Sequence, residues 1–256
     1  MSRDILRASS KDGILTLTLS RPEKRNALNR ELVEALTQAL TRARHEGEVR
    51  VVAIRGAGRD FCAGADLAEL ERISDMGPDE SLEDARRLGA LFTLMRTMPK
   101  PVVAVVHGRA LAGGCGLATA CDAVLAHEDA ELGYPEIHLG FVPAMVMTML
   151  RRKMGEGHAF DLVTRGHRVD ARAAREMGLV TRVFDADRFE ADVDRHLAEL
   201  AGMPPTAVAL TKGLLYELGE LAFEEGIERG AQVNVQARMS DACRDGVRRF
   251  LDRSDS

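Results

Sequence analysis

Between Val102 and Leu139 the chain reads VVAVVHGRALAGGCGLATACDAVLAHEDAELGYPEIHL, and this stretch constrains the fold more than any other. A short apolar run, Val102–Val106, reads as a buried strand. It is followed by a glycine-rich turn at Ala112-Gly113-Gly114 and then by an expected helix, Gly114–Ala120. A second apolar run leads to a lone carboxylate at Glu136. Glycine lets a backbone N–H approach a ligand closely because it carries no Cβ. A helix N-terminus adds the positive end of its dipole to that N–H. Two such donors aimed at one oxygen stabilise an oxyanion. Gly113 is one candidate donor, and a second must come from elsewhere in the chain.

The best place for it lies upstream. Val49–Arg55 reads as another strand, and it exits into Phe61-Cys62-Ala63-Gly64-Ala65-Asp66-Leu67, a run of small residues before a short helix. Around these two turns the chain alternates strands and helices. Ile14–Ser20 sets Leu15, Leu17 and Leu19 against Thr16 and Thr18, the period of a half-buried strand, with Lys11-Asp12-Gly13 as the turn of an N-terminal hairpin. Asn29 is placed to cap a helix carrying Leu32, Leu36, Ala39, Leu40 and Ala43 on one face, ended by Gly47. A helix over Glu80–Met98 should bury Leu82, Ala85, Leu88, Phe92 and Met95. Pro143 opens a helix with Met145, Val146, Met149 and Leu150. Asp170 caps Ala171–Met177, and Leu179–Phe184 reads as a strand. From Phe189 onward the pattern is helical, broken once at Met203-Pro204-Pro205. Strand and helix alternation argues for an α/β fold with parallel sheets.

At 256 residues and 45% hydrophobic content the chain can bury a large core. Its net charge is −5 with both signs scattered, so no basic face for nucleic acid is visible. No stretch approaches the ~20 apolar residues of a membrane span, and no apolar leader opens the chain. Cys62, Cys115, Cys121 and Cys243 form no C-x-x-C pair or His/Cys metal spacing, which favours reduced thiols, no metal and a cytoplasmic location. The chain lacks G-x-S-x-G, a GxxxxGK[ST] loop and a dinucleotide fingerprint, which argues against a serine hydrolase and against bound ATP or NAD.

Five blocks carry a resemblance: Leu19-Ser-Arg-Pro-Glu-Lys-Arg-Asn-Ala-Leu28, Phe61-Cys-Ala-Gly-Ala-Asp-Leu67, Ala110-Leu-Ala-Gly-Gly-Cys115, Ala120-Cys-Asp122 and Pro135-Glu-Ile-His-Leu-Gly140. In order and spacing they resemble the crotonase superfamily, the enoyl-CoA hydratase/isomerase family, over nearly the whole chain. The resemblance implies a spiral of ββα units with two stacked sheets over residues 1–200. It also implies a C-terminal helical region, 201–256, that packs homotrimers, which pair into hexamers in some members. The implied substrate is an acyl-CoA thioester, CoA being part of the substrate and no separate cofactor being needed.

By the same resemblance Ala63 and Gly113 supply the oxyanion amides and Glu136 is the catalytic acid/base. Lys24, Arg25 and Ala27 match the segment for the nucleotide end of CoA. Ala63, Gly64, Ala65, Asp66, Leu67, Gly113 and Gly114 match the stretches along the substrate, and Lys212 resembles a lysine near the CoA phosphates of a neighbouring subunit. Asp66 reads equally as a helix cap. One position departs from the family pattern. Hydratases of this family usually carry a second glutamate where this chain has Gly116. A single base that removes a proton at one carbon and returns it at another fits double-bond isomerisation better than hydration, but members of the family with glycine here include both hydratase-like and isomerase-like enzymes, so the resemblance implies either reaction on an enoyl-CoA. Substitute acids to consider are Glu69, Glu71, Tyr134 and His138. Arg109 is placed to read an acyl carboxylate, to pair with a buried acid, or to stand on the surface. Other crotonase-type thioester chemistry, hydrolysis or dehalogenation, and a non-catalytic binding protein stay open as alternatives.

Overall fold

The computed structural model describes residues 5–64 and 66–254. The chain opens with the expected hairpin, β1 (Leu6–Lys11) against β2 (Ile14–Leu19), which pair antiparallel. Leu15, Leu17 and Leu19 are buried, as their alternation requires. α1 (Arg30–His45) follows, with Asn29 Oδ1 accepting from the Leu32 N–H at 3.0 Å, and it buries the five residues expected of it. β3 (Val51–Gly56) starts two residues later than anticipated, because the Val49 N–H closes a turn onto the Glu46 carbonyl.

Then come α2 (Leu67–Asp75), α3 (Pro78–Thr97), β4 (Val102–Val106), β5 (Arg109–Leu111) and α4 (Gly113–Ala120). β6 (Ala123–His127) and β7 (Glu131–Gly133) lead to a short 3-10 turn over Pro135–Leu139. α5 (Ala144–Lys153), α6 (Glu156–Arg165), β8 (Arg168–Asp170), α7 (Ala171–Glu176) and β9 (Arg182–Phe184) complete the core. β9 is shorter than the apolar run suggests, since Leu179 and Val180 direct their N–H groups back to the Ala174 carbonyl. Four helices close the chain: α8 (Phe189–Ala201), α9 (Pro205–Glu217), α10 (Phe223–Met239) and α11 (Asp241–Ser254).

The strands form two sheets. The larger runs β1-β2-β3-β4-β6-β9 and is parallel from β2 onward; the smaller is β5-β7-β8. β3 and β4 are continuous apolar runs because both faces of the sheet are covered, the signature of a buried parallel sheet. Val52, Ile54, Val102 and Ala104 face the main core, whereas Val51, Ala53, Val103 and Val105 face Phe189, Val193 and Leu197 of α8.

α3 departs from its amphipathic reading. Leu91, Phe92 and Met95 are buried, but Leu82 and Ala85 are exposed, because its first half extends past the core and meets α2 through the Arg72–Asp84 ion pair at 2.8 Å. Lys212 on α9 also departs from expectation. It is buried, and its three N–H groups reach the Met95 and Lys100 carbonyls and Asp122 Oδ2, at 2.8, 2.9 and 2.7 Å. All three donors are engaged within the subunit, so Lys212 anchors α9 to the core and is not available to CoA phosphates.

Candidate active site

Two turns meet beside β5. The Cys62 N–H donates to the Arg109 carbonyl and the Leu111 N–H to the Cys62 carbonyl, both at 3.0 Å, which lays the Cys62–Gly64 turn along the start of α4. The fit is tight. A Cβ on Gly114 would stand 2.1 Å from the Cys62 carbonyl oxygen, and one on Gly64 would stand 3.0 Å from Ala112 Cβ. Ala112 takes the left-handed φ of +49°, which turns the chain sharply into α4 and leaves Gly113 at the first position of the helix. There its N–H is one of the donors a helix cannot satisfy internally. Replacing Gly114 with Ala should therefore force these two turns apart. We expect a loss of more than ~2 kcal/mol, the range for overpacking a close backbone contact, measured by urea unfolding.

Gly113, Ala63 and Glu136 line one cavity of about 360 Å³. Glu136 sits in the 3-10 turn that follows β7, after Pro135, whose fixed φ suits that first turn. Its Oε2 atom is buried with no hydrogen-bond partner among the described residues. Burial pushes its carboxyl above the ordinary glutamate range, opposed in part by its own backbone N–H. The rest of the wall is apolar, with Leu70 and Ile73 from α2, Leu88 and Phe92 from α3, and Met145 and Val146 from α5. Gly116 also faces the cavity. Among the described residues Glu136 is thus the one carboxylate on this wall.

Of the substitute acids only Tyr134 reaches it. Glu69 is held by Arg72 at 2.7 Å, and neither Glu71 nor His138 lines the cavity. Tyr134 does line it, but its buried hydroxyl is 2.7 Å from Thr119 Oγ1, and burial raises its pKa well above the usual value. The thiols beneath the turns, Cys62 and Cys115, are pushed up to about 12 by burial and supply no nucleophile.

The amide of Ala63 corrects the sequence reading. It donates to the Arg25 carbonyl at 3.0 Å, so it is not a free oxyanion donor. Arg25 itself adopts a left-handed φ of +52°, and the same is true of its neighbour Asn26 at +54°. Asn26 is fully buried and its Nδ2 donates to the Ala57 and Asp60 carbonyls. This knot fixes the turn carrying Lys24, which is half exposed and lies 3.9 Å from Asp66 Oδ1. Ala27 is buried, its N–H on the Lys24 carbonyl and its own carbonyl accepting from Arg21 Nη1 at 2.6 Å. Arg21 also reaches Asp66 Oδ2 at 2.6 Å. Burial opposes the Asp66 charge, but Arg21 and the Ala68 N–H outweigh it and hold the carboxyl below its usual range. Asp66 is thus both the cap of α2 and the anchor of the Lys24 turn. Gly64 lies beneath, its carbonyl accepting from Leu28 at 2.7 Å, and Leu67 begins α2; Ala65 lies outside the described residues. Arg21 and Asn26 stand in the first of the five blocks without an assigned role, although N-A-L after a basic loop is where a buried asparagine can be suspected.

Arg109 faces away from the cavity. Its guanidinium takes Asp60 with Nε and Nη2 at 2.8 and 3.0 Å, so it pairs with a buried acid and does not read an acyl carboxylate. No group of three His, Cys, Asp or Glu side chains among the described residues is placed to hold a metal.

An α/β core that presents a helix-terminal amide and a buried carboxylate to one apolar cavity is an architecture shared with known proteins. Residues 9–256 match the family described as Enoyl-CoA hydratase/isomerase. A Thermus thermophilus protein named as an enoyl-CoA hydratase is 40% identical, covering 95% of this chain and 96% of its own. The 2,3-dehydroadipyl-CoA hydratase of Escherichia coli is 34% identical over 95% of this chain and 94% of its own. The solved enoyl-CoA hydratase of Mycobacterium smegmatis superposes with a TM-score of 0.93 at 29% identity, covering 98% and 97% of the two chains. The chain belongs to the enoyl-CoA hydratase/isomerase family and has the crotonase fold.

Proposed function

We propose that this protein moves the double bond of an enoyl-CoA thioester, with Glu136 as its single proton carrier. The observation that carries the reading is the buried, unpartnered Glu136 carboxyl on the same cavity wall as the Gly113 amide. With a 3-enoyl substrate, the Glu136 carboxylate takes a proton from C2. The electron pair left behind delocalises to the thioester oxygen, which the amides stabilise. The same carboxylic acid then returns its proton at C4, giving the conjugated 2-enoyl thioester. No atom is gained or lost.

The second amide must come from the upstream turn. Its Ala63 and Asp66 N–H groups serve the Arg25 and Leu28 carbonyls, and that of Gly64 faces the Cys62 sulfur. We assign the second donor to this turn on the strength of the family likeness, Ala65 lying outside the described residues. Lys24 and Arg25 are assigned to the CoA phosphates on the strength of the family likeness and the exposure of Lys24.

Hydration is the second reading, favoured by the names of the relatives at 40% and 34% identity. Glu136 would then hold and deprotonate a water that adds at C3, while the proton returns to C2. Supplying crotonyl-CoA and a 3-enoyl-CoA separately, and following the conjugated thioester absorbance, separates the two. Gain of conjugation from the 3-enoyl substrate supports isomerisation, and loss of it from crotonyl-CoA supports hydration. In either case Glu136 must be ionised to act as base. Because its pKa is raised, kcat/KM should fall as pH drops through a value above the ordinary glutamate range, and a pH profile on the free enzyme measures it.

We assign residues 201–256 to assembly as a homotrimer or a pair of trimers. Phe223, Ile227, Val235 and Met239 on α10 are more than half exposed, an apolar surface suited to other copies of the chain. Four free thiols support a cytoplasmic location.

A further inference from the structure

The acyl pocket carries information about its substrate that the reaction alone does not. Its described wall holds no lysine, arginine or histidine, and Glu136 is its one carboxylate; Arg109, beside the same turns, is held by Asp60. A second carboxylate at the end of an acyl chain would be buried there without a partner and beside a like charge, which is costly.

The missing side chain at 116 shapes the pocket at one defined height. Gly113 and Gly116 are one turn apart on α4 and so share a face. Three residues of helix rise about 4.5 Å, so an acyl chain that runs along α4 from an oxygen held at the Gly113 amide passes Gly116 a few bonds beyond the thioester carbon. A Cβ built there would lie 3.5 Å from Phe92 Cζ and 3.8 Å from Val146 Cγ2, in ordinary contact. A side chain at 116 would therefore cover Phe92 and Val146. With glycine, those two side chains stay open to the cavity as an apolar alcove.

We infer that the acyl group is uncharged and carries a branch at C3, seated in the alcove formed by Gly116, Phe92 and Val146. This rests on the enoyl-CoA reading for the placement of the thioester, but its test does not need turnover. Saturated thioesters neither hydrate nor isomerise, so their binding reports the pocket alone. Calorimetric titration of the full-length protein with butyryl-CoA, 3-methylbutyryl-CoA and succinyl-CoA should give 3-methylbutyryl-CoA as the tightest ligand. The advantage over butyryl-CoA should be about tenfold, the value of one well-packed methyl group. Succinyl-CoA should be the weakest. Gly116→Val should erase the preference for the branch, and Gly116→Ala, whose added carbon meets only ordinary contacts, should reduce it if the valine variant does not fold. Equal binding of branched and straight chains, or a preference that survives both substitutions, overturns the alcove. Succinyl-CoA binding as tightly as butyryl-CoA overturns the uncharged acyl group. Failure of the enoyl-CoA assays with this binding order intact would fault the reaction assigned and leave the pocket assignment standing.

Discussion

Glu136→Gln should reduce kcat by roughly 10²–10⁴-fold, the usual contribution of a positioned acid/base, while leaving the affinity for acyl-CoA within a few-fold. The amide keeps the shape of the carboxyl but cannot take a proton, and no other described carboxylate lines the cavity to replace it. The same substitution should not cost stability. The folded-state pKa of Glu136 lies above its unfolded value, so between those two values the folded protein holds more protons than the unfolded chain. Stability from this group is complete below the unfolded pKa and is lost as pH rises through the folded one. Above the folded value the ionised carboxyl is therefore a burden on folding, and there Glu136→Gln should unfold at the same or a higher urea concentration than the wild type. Full activity in this variant, or a large loss of stability, would contradict the role assigned.

Asp122→Ala should be the most damaging single change outside the turns, at about 3–5 kcal/mol in urea unfolding at pH 7. Asp122 Oδ2 accepts from the Val102 N–H and from Lys212 Nζ, both at 2.7 Å, and Oδ1 accepts from the Tyr216 hydroxyl at 2.5 Å. It thus joins the start of β4, the core strand behind the site, to α9. Arg96 adds a cation over the Tyr216 ring, 3.5 Å from its centre. Removing the carboxylate leaves Lys212 buried among carbonyls without its counter-charge. That charge, rather than the lost contacts, is expected to dominate. Burial already lowers the Lys212 pKa, with Asp122 opposing the shift. Asp122→Ala combined with Lys212→Met should therefore cost less than the sum of the two single changes, a double-mutant cycle that isolates the pair.

Much of this architecture can be read in the chain because local rules and tertiary burial agree there. Alternating leucines in β2, the Asn29 cap of α1 and the uniform apolarity of β4 each report an environment that the fold then supplies. β5, β7 and β8 escape such reading because three residues are too few to display a period. Leu82 misleads for another reason: helical spacing tells which face of α3 is apolar, not where the core that covers it ends. In the site, Glu136 and Gly113 were legible through order and spacing, and the structure sets them on one cavity. What sequence could not reveal was the destination of individual N–H groups. Ala63 and Gly113 look alike in the sequence, yet one amide is engaged by a carbonyl 38 positions upstream while the other opens a helix. Lys212 likewise reads as a free cation until its buried partner Asp122 is seen, and only the structure chooses a buried acid, Asp60, over an acyl carboxylate for Arg109.

The most direct test of a single proton carrier is exchange at the substrate's own carbon. Wild-type protein and Glu136→Gln would be incubated in D₂O with a 3-enoyl-CoA, and deuterium at C2 and C4 followed by NMR or mass spectrometry. The account predicts that the wild type transfers the C2 hydrogen to C4, with deuterium entering to the extent that the Glu136 carboxyl exchanges with solvent before it returns the proton, and that the variant loses both by at least about 100-fold with acyl-CoA still bound. Undiminished exchange in Glu136→Gln would show that another group moves the proton and would contradict the central claim.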